Sequence, residues 1–93
     1  MKKAKKWDAA EYLTSKEDIA AYLNAALDDG NASIIAAALG DIARSKGMTQ
    51  LAKETGVTRD GLYKALSPTG NPSFDTVQKV IKALGFKLSV AAA

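Results

Sequence analysis

The chain has 93 residues, 47% of them hydrophobic and 25% charged, the balance of a single water-soluble domain with one modest core. It contains no cysteine and no histidine, so disulfides and thiolate metal sites are excluded and the commonest general base is missing. No cofactor is called for, an enzyme is the least expected class, and the net charge of +3 suits a polyanionic partner only weakly.

Residues 1–13 form a basic extension, with Lys2, Lys3, Lys5 and Lys6 against Asp8 and Glu11. Trp7, Asp8 and Glu11 interrupt what would otherwise resemble a secretory leader, and no run approaches the ~18 apolar residues of a membrane span. A cytoplasmic protein is expected. The lysines read as a solubilising tail or as an arm trailing along DNA. Trp7 and Tyr12 cover the first helix or anchor a partner.

Residues 14–93 then read as one helical domain. Ser15-Lys16-Glu17-Asp18 has the form of a capping box, and Ile19, Leu23, Ala26 and Leu27 recur at helical spacing behind it. Asp29-Gly30-Asn31 ends that helix, and Asn31 caps the next. The second helix carries the stripe Ile35, Ala38, Leu39 and Ile42, and Gly47 closes it. A short helix spans about Thr49–Thr55, Gly56-Val57-Thr58 breaks it, and another runs from Arg59 to about Leu66. Ser67-Pro68-Thr69-Gly70-Asn71-Pro72 is a loop. Ser73 caps a last helix with the stripe Phe74, Val77, Val80, Ile81 and Leu84, stopped by Gly85. Phe86, Leu88 and Val90 alternate with Lys87 and Ser89 as a short strand would. That strand pairs with a copy in a second subunit or with another protein, or else lies as a tail over the core.

The functional signal lies within about residues 49–66. Two short helices joined by a tight turn must approach closely. Ala52 supplies a small side chain on the first, and Gly56, four residues on, accepts the positive φ of the turn. Val57 and Leu62 point inward, which leaves Thr58, Arg59, Asp60, Tyr63 and Lys64 outward. A second helix so presented can enter a DNA major groove with its first residues at the base edges. Arg59 can bond bidentately to guanine, and Lys64 can take guanine or phosphate. Thr58 can donate to phosphate, Asp60 can accept from cytosine or orient Arg59, and Tyr63 can pack on a thymine methyl or lie along the sugar-phosphate. The same Ala–Gly spacing also occurs in helical hairpins that bind no DNA, where Arg59 and Lys64 would be a solvated face.

Residues 43–85 resemble the Cro/cI-type (XRE) helix-turn-helix repressors. The likeness rests on Ala43-Arg44-Ser45-Lys46-Gly47-Met48-Thr49-Gln50, on Leu51-Ala52 through Thr58, and on Asn71-Pro72-Ser73-Phe74-Asp75-Thr76-Val77 with Lys82-Ala83-Leu84-Gly85. Over about residues 8–88 the chain is more narrowly similar to HigA-like addiction module antidotes (antitoxins). That match rests on Tyr12-Leu13, Ile19-Ala20-Ala21-Tyr22-Leu23, Ala36 through Arg44, and Gly61-Leu62-Tyr63-Lys64-Ala65-Leu66-Ser67. The resemblance implies an all-α, five-helix, lambda repressor-like fold and a homodimer that represses its own operon at a double-stranded DNA operator. It further implies neutralisation of a small RelE/HigB-like ribonuclease toxin. It places DNA contacts at Thr58, Arg59, Asp60 and Lys64, and phosphate contacts in the loop from Ser67 to Asn71. The chain departs from the family at Met48, where many members carry Gln, and at Thr55, a position that is usually apolar. A stand-alone prophage-type repressor and a protein-binding module that has lost DNA are the competing functions.

Overall fold

The computed structural model describes residues 13–93, and those residues form five helices. The expectations attached to Lys2, Lys3, Lys5, Lys6, Trp7 and Tyr12 lie outside the described residues.

Helix α1, Lys16–Asp29, begins where Ser15 Oγ accepts the Asp18 amide at 3.0 Å. It ends at Gly30 in the left-handed conformation. Asn31 Oδ1 then accepts the amides of Ser33 and Ile34, which starts helix α2, Ala32–Lys46. The short connection turns α2 back along α1. Two bonds record the antiparallel register: Tyr22 Oη of α1 donates to Asp41 Oδ2 of α2 at 2.6 Å, and Ser45 Oγ of α2 donates to the Leu13 carbonyl, ahead of α1, at 2.9 Å. Arg44 also donates to Asp41, at 2.7 Å. Leu13, just ahead of α1, is buried in the core.

Helix α3, Met48–Thr55, helix α4, Arg59–Ala65, and helix α5, Phe74–Ala83, complete the bundle. The centre of the core is Leu39 and Ile42 of α2, Leu51 of α3, Leu62 of α4 and Val80 of α5, all fully buried. Burying one such side chain contributes about 1.5–3 kcal/mol. Each of these four helices therefore brings at least one strong anchor. α2 is the common support, since it packs against α1, α3 and α4. Its contact with the end of α4 depends on Gly40, because a Cβ there would run into the Leu66 carbonyl.

Two sequence expectations are corrected. The stretch 86–90 forms no strand, and the chain after Gly85 is irregular to its end. A strand needs a neighbour for its backbone groups, and the described residues offer none. The Phe86 amide instead bonds the Ile81 carbonyl at 3.1 Å, the Phe86 ring packs on the core, and Lys16 Nζ sits 5.5 Å from its centre. Leu88 is partly exposed and Val90 almost wholly so. Phe74 belongs to the apolar stripe of α5 in sequence, but it is 67% exposed. It is the first residue of the helix, and the core contact begins one turn later at Val77.

No helix among the described residues is long and apolar enough to cross a membrane.

Candidate nucleic-acid interface

α3 and α4 form a surface unit whose geometry is set at the turn between them. Gly56 has φ 76°, and its amide bonds the Ala52 carbonyl at 2.9 Å, closing α3. A side chain at that φ would add steric strain of about 1–2 kcal/mol. Ala52 itself is half-buried against the core. Thr55, polar where the resembling repressors are usually apolar, is buried yet satisfied. Its hydroxyl donates to the Leu51 carbonyl at 2.8 Å and accepts the Val57 amide at 3.2 Å. One side chain thus ties the last turn of α3 to the residue that leads into α4, and the Val57 side chain packs on the core beside it. The departure at Thr55 is therefore a working part of the turn.

α4 starts at Thr58, whose Oγ1 accepts the Gly61 amide at 3.0 Å. Leu62 is fully buried and Leu66 nearly so, and these two fix the inner side of the helix. Thr58, Arg59, Asp60, Tyr63 and Lys64 are all exposed, so the structure brings together the five residues that sequence reasoning assigned to this face. Arg59 and Tyr63 lie one turn apart with the guanidinium carbon 5.7 Å from the ring centre. Contact of this kind contributes about 0.5–1 kcal/mol at an exposed site, enough to favour one orientation of a long, flexible side chain.

The loop after α4 is folded onto the body. The Gly70 amide bonds the Ser67 carbonyl at 2.9 Å, and Ser33 Oγ of α2 donates to the Pro68 carbonyl at 2.6 Å. Ser67 is half-buried and its hydroxyl donates to the Lys64 carbonyl at 3.0 Å, so its proton is committed to the end of α4. Asn71 is exposed on the same loop.

Sequence reasoning passed over Glu54. Its carboxylate accepts Gln50 Nε2 at 2.7 Å and lies 3.9 Å from Lys46 Nζ. Gln50 and Lys46 are thereby gathered on the outer side of α3. The spacing of Gln50 and Glu54, four apart on a helix, was the available signal. Met48, where many of the resembling repressors carry Gln, is buried in the core, so that position offers no polar group to a partner.

These features define a small all-helical protein whose two shortest helices form one exposed, side-chain-rich unit. The family model described as "Probable addiction module antidote protein" matches residues 3–92, and the chain belongs to that family. It is also similar to a protein of Haemophilus influenzae that carries the name "Uncharacterized protein". The two are 55% identical over 86 residues, covering 92% of this chain and 89% of that protein. No solved structure matches. Membership makes the chain an antitoxin by family, and an antidote implies a toxin as partner.

Proposed function

We propose that this antitoxin neutralises a small RelE/HigB-like ribonuclease toxin by direct binding and, as a homodimer in the cytoplasm, represses its own operon. α3 and α4 serve as a Cro/cI-type helix-turn-helix, with α4 as the recognition helix. The single observation that carries the DNA arm is the exposure of Arg59 at the start of a helix held from beneath by Leu62. Arg59 reads guanine, while Tyr63 beside it limits the conformations that its guanidinium must give up on binding. Lys64 and Asn71 hold phosphates, Thr58 lies at the backbone, and Asp60 accepts from cytosine or steers Arg59. Ser67 contributes by fixing the loop.

Fluorescence anisotropy with duplex DNA from upstream of the gene tests this arm. Arg59→Ala is expected to weaken binding by about 1–3 kcal/mol and relax preference at one base pair. Affinity should also fall steeply with salt, as phosphate contacts require. A flat salt response, or unaltered sequence preference in Arg59→Ala, overturns the assignment. Rescue of growth when the adjoining toxin gene is co-expressed tests the other arm.

A further inference from the structure

α1 is the only net-acidic helix of the five, with Glu17, Asp18, Asp28 and Asp29 against Lys16 alone. Glu17 and Asp18 stand in its first turn, where the helix dipole favours negative charge. Asp28 and Asp29 stand in its last turn, where the dipole opposes them, with no basic residue in that turn. Neither takes part in an ion pair among the described residues. Their placement therefore costs α1 stability, and no contact among the described residues offsets it.

At Asp29, α1 and α2 leave a groove of about 380 Å³, lined chiefly by Tyr22, Ala25, Ala26, Asp29, Ile34 and Ala37. Ile34 is 46% exposed although it is a large aliphatic residue in the first turns of α2. The groove lies on the side of α2 that meets α1, where Asp41 bonds Tyr22. Ser33 and Gly40 turn instead toward α4 and its loop.

We propose that this groove, lined at its edge by Asp29 with exposed Asp28 next to it in the chain, docks the toxin, a small basic protein that presents an apolar side chain flanked by Lys or Arg. The proposal rests on the antitoxin reading above. A ribonuclease must attract RNA phosphate and so carries positive charge around its substrate site. Over residues 32–93 this chain is net basic and repels such a protein. α1 is where the charge complements it. The groove supplies apolar area, and the carboxylates supply steering and register.

The test is titration of the full chain with the toxin encoded beside its gene, at low and high salt. Ile34→Lys is expected to weaken the complex at least about tenfold, as loss of a buried interface anchor does. The double variant Asp28→Asn, Asp29→Asn is expected to weaken it roughly three- to tenfold at low salt, with the difference fading at high salt. The thermal midpoint of the free double variant should hold or rise, because the dipole conflict is relieved. A merely structural role would lower midpoint and affinity together, and that result overturns the proposal. So does unchanged affinity in both variants. A change of solution mass in free Ile34→Lys would assign the groove to a second copy of this chain. A shift of Trp7 emission there would assign it to the chain's own amino-terminal segment. If the unaltered chain does not bind the toxin at all, the antitoxin reading fails first and the groove with it. If it binds and the variants bind equally well, only the groove is wrong.

Discussion

The two helix breaks of this protein use the same device to different ends. Gly30 and Gly56 have φ values of 79° and 76°, and each is followed by a capping residue, Asn31 or Thr58. Around Gly30 every residue from Asp28 to Ile34 is exposed. Around Gly56, Thr55 is buried and bonded on both sides of the turn, and Val57 packs on the core. The first break reverses the chain and rests on local hydrogen bonds at its cap, with Ser33 reaching out to the Pro68 carbonyl. The second also holds the following helix in place through tertiary contacts. A turn that only connects can be made of surface residues, whereas a turn that aims a helix has to be anchored beneath.

The largest expected effect comes from cutting that anchor. Leu62→Ala should cost about 2–5 kcal/mol in chemical denaturation, and DNA affinity should fall further than the lost folded fraction accounts for. Ile34→Ala at the other break should stay within about 0.5 kcal/mol. Equal costs at the two sites would break the comparison. Next comes Thr55→Val, which keeps the shape but leaves the Val57 amide without its acceptor. It should cost about 1–3 kcal/mol and, unlike Leu62→Ala, leave no cavity. A neutral result would mean that water replaces the hydroxyl. The glycines sharpen the contrast more finely. Gly56→Ala and Gly30→Ala should each cost about 1–2 kcal/mol, since the backbone strain is the same. Under conditions where both variants are fully folded, only Gly56→Ala should weaken DNA binding.

Most of the fold was legible because it is written in local signals. Ser15, Asn31, Thr58 and Ser73 all cap the helices that follow them, and capping depends on side-chain chemistry within a few residues. The five outward residues of α4 were legible for a similar reason: once Leu62 is placed inside, helical period puts its neighbours outside. The misreadings share the opposite cause. Whether 86–90 is a strand depends on a neighbouring strand, which alternation of Phe86, Leu88 and Val90 cannot reveal. Phe74 continues the α5 stripe in sequence, but nothing in the fold reaches back to cover the first residue of that helix. Gly40 and Thr55 were opaque as well. The need for a glycine against the Leu66 carbonyl, and for a hydroxyl under Val57, arises only when distant or turned segments meet.

The smallest effect offers the cleanest separation of stability from binding. Thr58 caps α4 through Gly61, and Asn31 caps α2 through Ser33 and Ile34. Replacing either by Ala should cost about 1 kcal/mol, which cannot distinguish a cap from a cap that also faces DNA. Replacement by Asp can. A carboxylate is at least as good a cap, and it favours the positive end of the helix dipole. Asn31→Asp should therefore leave both melting temperature and DNA affinity unchanged. Thr58→Asp should leave the melting temperature unchanged or raise it, yet weaken DNA binding, because it sets a negative charge beside phosphate. Two chemically matched substitutions at two similar caps would thus agree in the melting curve and part in the anisotropy titration. If Thr58→Asp binds DNA as tightly as the unaltered protein, the start of α4 does not approach a phosphate backbone, and the anchored turn must aim that helix at some other partner.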